Sequence, residues 1–320
     1  PPPTEIYTAG HSSAASDVYK RQGLSIAAGQ LSTSANIQIL ASDVTMEEFG
    51  PDLATGQFRL QGFPQDREVE VRVRLRATAP LRDQTFIGMG VPVIQSSLDT
   101  HEAQPGLLLR EATDSAGYLV ATLPVRGRGI PSGPGPVQMA AAEGTDGLLD
   151  GVVTAITGAQ RDSVPGGQFV ILSWGAPRAE LQPLAARAAK LMEDARVTVE
   201  GMEYSLAQRT AWPMEIHVYP TSEFSGGFLF DPSWPLDVNT GWFELSSTYF
   251  SRPDMPATVI HEFFHFAQST FQGNLSEEEW ASYRWLDEAA STWIEERAPE
   301  TVGAFDVGLV QQERNGLFVG

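Results

Sequence analysis

The hydrophobic period changes once along this chain, near Pro177, and no single kind of regular element satisfies both periods. Before that point the period is two. Arg67 to Arg76 reads REVEVRVRLR, alternating Val or Leu with charge, as a strand with one wet face requires. Tyr118 to Val125 reads as another strand, entered through the turn signal Asp114-Ser115-Ala116-Gly117. Val152 to Ile156 and Phe169 to Trp174 read as two more. Gly127 to Pro136, GRGIPSGPGP, is too rich in Gly and Pro for a regular element. Residues 23–176 are therefore expected to form an all-β region of sandwich type, with the stretch near 127–138 either a long loop or a boundary between two small modules.

After Pro177 the period becomes helical. Glu180 to Gln208 places Leu181, Leu184, Ala188, Leu191 and Met192 on one helix face. Met214 to Tyr219 and Gly241 to Phe250 read as strands, and two apolar-rich helices follow them. Residues 177–320 are thus expected to be a separate α+β domain, making the chain multidomain.

Composition narrows the partners. Forty acidic residues against twenty-one basic ones give a formal charge of −19, which repels phosphate backbones and argues against nucleic acid. There are no cysteines, so thiolate metal sites, cysteine nucleophiles and disulfides are excluded. No apolar run approaches the ~18–20 residues of a membrane-spanning helix, and no membrane insertion is expected. No signal peptide is visible at the start of the sequence.

The chemistry concentrates in His261-Glu262-Phe263-Phe264-His265. On a helix, residues four apart share a face, so both imidazoles can hold one zinc ion while Glu262 takes a proton from the attacking water. Asp254 and Pro256 supply helix-start signals and Gly273 a stop. Catalytic zinc needs a third protein ligand. Ser276 to Glu279, SEEE, opens a second helix as a capping box. An antiparallel hairpin of the two helices returns Glu288 to the level of the histidines. Asp287, Glu295 and Glu296 compete, but Asp287 faces about 100° away and the other two lie two turns beyond. Glu288 is the choice.

The segments HEFFHFAQ and WLDEAASTWIEE (Trp285 to Glu296) together resemble the gluzincin metallopeptidases, the thermolysin-like class, and among them the hyicolysin-like branch. The resemblance covers about Met214 to Glu296. It implies a zincin-type fold, zinc at His261, His265 and Glu288, and Glu262 as general base. It further implies that a strand within Gly241 to Phe250 binds extended substrate by β-addition. Thermolysin carries an acidic residue four positions after the ligand Glu, steadying a zinc histidine. Thr292 stands there in this chain, so a hydroxyl or a backbone carbonyl must do that work. Gluzincins also use a downstream Tyr or His on the oxyanion, and residues 297–320 contain neither. Tyr249 and Tyr283 are substitutes, though packing roles suit them better. The catalytic domain is therefore expected to lack its C-terminal lobe.

Two further resemblances are local. TDSAGYLVATLP is similar to the strand-turn-strand unit of bacterial Ig-like modules, and Pro1 to Gln22 resembles translated sequencing-adapter sequence, a non-native or disordered leader. His217 reads as a packed strand residue and His101-Glu102 as surface. Asp231, Asp237 and Asn239 offer oxygens for calcium but lack EF-hand spacing. Trp280, Trp285 and Trp293 read as core of the second helix. The sequence points to a secreted or cell-surface bacterial zinc endopeptidase acting on peptide or protein. A binding protein with a degenerate zinc domain and a zinc aminopeptidase are the rivals.

Overall fold

The computed structural model describes residues 4–6, 23–26, 38–41, 49, 53–63, 69–81, 84–90, 108–115, 117–125, 151–222, 225–229, 239, 241–272 and 277–298. The chain forms two compact units, Pro1–Gln160 and Arg161–Gly320.

The first unit is antiparallel throughout. Its first sheet contains β1 (Thr4–Ile6), β2 (Gly23–Ile26), β5 (Val69–Arg76), β9 (Tyr118–Val125) and β8 (Thr113–Ser115), in the order β1-β2-β5-β9-β8. The second contains β3 (Gln38–Ala41), β4 (Phe58–Gln61), β10 (Gly151–Ser163), β6 (Gln84–Gly90) and β7 (Leu108–Glu111). There β3 pairs β4, β4 and β6 flank β10, and β7 pairs β6. The alternation read from the sequence becomes geometry in β5. Val69, Val71, Val73 and Leu75 are fully buried while Glu70, Arg72 and Arg74 are exposed. Both sheets feed one hydrophobic cluster, with Val71, Val73 and Leu123 from the first and Phe58, Leu60 and Val153 from the second. At ~25 cal/mol per Å² of apolar area, burying each such side chain contributes about 1.5–3 kcal/mol.

The second unit is a mixed sheet with helices. Its strands are β11 (Phe169–Ser173), β12 (Met214–Tyr219), β14 (Trp242–Ser246) and β13 (Gly226–Leu229). β11 and β14 both run parallel to β12, whereas β13 is antiparallel to β14. Its helices are α1 (Arg178–Gly201), α2 (Met255–Gln272) and α3 (Glu277–Ile294). A single core joins Ile171, Ile216 and Leu245 of the sheet to Leu191 and Val199 of α1 and Val259, Phe263 and Phe266 of α2. Gly226 lets β13 lie close to its neighbours, since a Cβ there would meet Leu245 at 3.2 Å and Thr258 of α2 at 3.4 Å.

Several expectations change. The units divide at 160/161, earlier than the expected 176/177. Beyond that division lies β11, a fully buried apolar run that pairs in parallel with β12 and packs into the core of the second unit. Helix α1 stops at Gly201 and not at Gln208, and Glu203 just beyond it adopts φ +67°, which an α-helix cannot continue. β14 cannot be the strand that adds a substrate, because β12 and β13 already occupy its two edges. Two of the tryptophans of α3 are not core: Trp285 is 65% and Trp293 46% exposed. Thr4–Ile6 pairs with Gly23–Ile26, so the leader contains one strand. The expected module break at 127–138, His101-Glu102, Asp231 and Asp237 lie outside the described residues, as does residue 276, the expected cap of α3. Nothing is described of the Trp280 and Tyr283 side chains.

Candidate metal centre

Helix α2 presents two faces. Val259, Ile260, Phe263, Phe264, Phe266 and Ala267 are buried, and aromatic contacts fix their direction. Phe263 stacks on Phe243 with centroids 5.7 Å apart and meets Phe169 edge-on, Phe264 meets Tyr204 at 4.9 Å, and Phe266 meets Phe228 at 5.3 Å. With that face committed to the sheet and α1, His261, Glu262, His265 and Gln268 must emerge elsewhere on the helix. Helix α3 brings Glu288 to them.

His261, His265 and Glu288 each offer a ligand atom, all within 4.8 Å of one another. The two Nε2 atoms lie 3.1 Å apart, and Glu288 Oε2 is 3.5 Å from that of His261 and 3.7 Å from that of His265. Asp287 is buried, and its backbone oxygen accepts a hydrogen bond from Gln268 Nε2 at 3.2 Å. Glu295 sits behind His261, with Oε1 2.8 Å from Nδ1. Glu296 is exposed. Among the competing carboxylates, then, Glu288 is the one brought to the two Nε2 atoms.

The hydrogen bonds behind the imidazoles set where their protons sit. The Glu295 carboxylate accepts, so His261 carries its proton on Nδ1. Ser291 donates to Gln268 Oε1 at 3.0 Å, leaving its oxygen to accept from His265 Nδ1 at 3.1 Å. When both rings are neutral, both Nε2 lone pairs therefore point inward, toward each other and toward the carboxylate of Glu288. Three electron-pair donors converging in this way repel unless a cation lies among them. Two imidazole nitrogens and one carboxylate form a donor set that fits a divalent transition metal and suits zinc among them.

Titration follows the same geometry. Burial alone would lower the His261 pKa, but hydrogen bonds to Glu288 and Glu295 and the charges of Glu262 and Glu295 push it up to about 9. Burial pushes Glu262 up to about 7, with Glu288 and Glu295 adding repulsion, while His261 and the Phe228 N–H pull the other way. That N–H donates to Glu262 Oε2 at 3.2 Å, tying the carboxylate to β13.

The task assigned by expectation to a group near Thr292 falls to Ser291 and Glu295, which the sequence reading did not identify in these roles. The signal was present. Ser291 and Glu295 stand three and seven residues after Glu288, and Gln268 stands three after His265, which are same-face spacings on a helix. Tyr249 donates its hydroxyl to the Ser222 carbonyl at 2.8 Å. His217 is buried, as a packed residue would be. Asn239 spends its side-chain oxygen on the backbone N–H groups of Thr210 and Ala211. Among the described residues no helix is long and apolar enough to cross a membrane.

No protein-family model matches the chain. Comparison with curated proteins likewise gives no match.

Proposed function

We propose that the chain is a secreted bacterial zinc metalloendopeptidase of gluzincin type, hydrolysing peptide bonds with His261, His265 and Glu288 as zinc ligands and Glu262 as general base. In this reading the second unit is a zincin-type α+β domain and the first an Ig-like sandwich. One observation carries the proposal: two imidazole nitrogens and a carboxylate converge on one point, each imidazole backed at Nδ1 by an acceptor, with a carboxylate of near-neutral pKa beside them. When bound, zinc would polarise the scissile carbonyl and stabilise the negative charge that develops on its oxygen. Glu262 accepts a proton from the attacking water and returns it to the leaving amine, work best done by a group titrating near neutrality. The Phe228 N–H keeps that carboxylate oriented. An extended peptide is a suitable substrate, because β13 lies beside Glu262 and, among the described residues, is paired only with β14.

The test is metal content together with hydrolysis of an unstructured protein such as casein. About one zinc per chain is expected, lost in His265→Ala. Glu262→Gln should keep the metal and lose at least about 10²-fold in rate. A fully active Gln variant would overturn the mechanism. Zinc without hydrolysis would favour the binding protein, and cleavage blocked by a capped peptide N-terminus would favour the aminopeptidase.

A further inference from the structure

Two structurally different devices stand behind the two histidines. His261 is backed by a carboxylate, Glu295, at 2.8 Å. His265 is backed by a neutral relay whose hydrogen bonds run in one direction. The Asp287 carbonyl can only accept, so the Gln268 amide turns its NH2 toward it, and Gln268 Oε1 faces Ser291. Ser291 has one proton and gives it to that oxygen, so it receives from His265. Ser291 is fully buried, which denies it the water that would otherwise compete for these bonds. The relay joins α2 to α3 and starts from the backbone of the residue preceding Glu288, so the same contacts that orient His265 also set the height of Glu288.

We propose that Glu295, and the pair Ser291 and Gln268, are positioning residues: the first holds His261 and the second holds His265 in the Nδ1–H tautomer, with Nε2 facing Glu288 and any electrophile bound between them. The metal part of this inference rests on the proposed zinc reading; the tautomer part does not. The two devices differ in charge, and the difference has a consequence. Glu295 brings a second negative carboxylate close to the site in addition to Glu288, whereas the relay brings none. Loss of Glu295 therefore removes charge as well as orientation, and loss of the relay removes orientation alone.

The experiment uses the whole chain with 15N-labelled histidine, first without metal. Long-range 1H–15N correlation at a pH where the rings are neutral is expected to show the Nδ1–H tautomer for both histidines in the wild type. Ser291→Ala and Gln268→Ala should each convert His265 to a mixture and leave His261 as it was, and Glu295→Ala should do the reverse. The unaffected ring in each spectrum reports that the site is still folded. Ser291→Thr, which restores a hydroxyl, should recover the His265 signature. Competition with a chelator should then show zinc affinity reduced about 10–100-fold by each Ala variant. Glu295→Gln, which keeps a hydrogen-bond acceptor without the charge, should lie between Glu295→Ala and wild type. Tautomers that ignore all three Ala substitutions would overturn the proposal. A wild-type chain that binds no zinc yet shows the expected tautomer changes would overturn the metal reading and leave the positioning roles standing.

Discussion

At the scale of single residues, the second unit holds a buried ionic arrangement apart from the candidate metal centre, and it makes stability depend on pH. His217 of β12 and Glu244 of β14 are both buried. Their Nδ1 and Oε1 are 3.9 Å apart, too far for a hydrogen bond, so the attraction between them is electrostatic. Tyr219 and Trp242 donate hydrogen bonds to the Glu244 carboxylate, and Glu215 faces His217 Nε2 at 3.4 Å. Burial would push His217 down and Glu244 up, but these partners prevail: His217 lies above its ordinary value of 6.5 and Glu244 below its ordinary 4.5. A raised histidine contributes stability that is complete below 6.5 and fades as pH rises through its folded value. A lowered glutamate contributes stability that is complete above 4.5 and fades as pH falls. Both contributions are full between those two values. Glu244→Gln should thus destabilise the chain by about 3–5 kcal/mol near pH 6, because it strands a buried charge. The deficit should shrink at alkaline pH, above the raised value of His217, where the imidazole gives up its proton. Denaturant unfolding at the two pH values measures both, and a deficit that does not change with pH would mean that His217 is already neutral.

At the scale of elements, the faces of the two site helices have opposite fates. Phe263 is wholly buried against Phe243 and Phe169, and removing it leaves a cavity under the turn that carries His261 and His265. Phe263→Ala should cost about 3–5 kcal/mol and weaken metal binding as the turn relaxes. Trp285→Ala, at a residue 65% exposed, should change stability by no more than about 0.5 kcal/mol. Equal losses for the two would mean that Trp285 is covered in solution. This contrast also shows what sequence could convey. Tyr118–Val125 and Met214–Tyr219 were readable to the residue, because alternation or a short apolar run bounded by polar residues is a local signal. The side of α3 that faces the protein was not, since Trp285, Asp287 and Glu288 are consecutive enough to satisfy either reading, and only packing against α2 decides. β13 was missed because Gly226 and Gly227 carry no period, although its closeness to α2 is what requires Gly226. The meeting of His261, His265 and Glu288 was legible from two helix periods and one hairpin. Its supporting groups were legible in the same periods but were weighed only as rival ligands.

At the scale of the whole molecule, two cores lie in two compact units and share no residue. Each is held by its own burial: interleaved Val and Leu of two antiparallel sheets in the first, aromatic and aliphatic side chains between one sheet and two helices in the second. The expected break at Pro177 followed the change of period, but the actual division falls earlier, at 160/161. β11 is apolar on both faces, a pattern that parallel, covered strands share with buried antiparallel ones, so periodicity could not assign it a partner. This organisation predicts how a ligand redistributes stability. A metal held by α2 and α3 binds the folded second unit and not its unfolded chain, so it stabilises that unit by RT ln(1 + [L]/Kd), about 2.7 kcal/mol at a hundredfold excess over Kd. The first unit contributes none of the three ligand atoms and gains nothing directly. Calorimetry of the full chain should therefore show one thermal transition that rises on adding zinc and falls on chelation, and another that stays fixed. In His265→Ala the first should lose its response while the second is unchanged. A single transition that moves as a whole with zinc would show that the two units unfold as one cooperative block despite their separate cores.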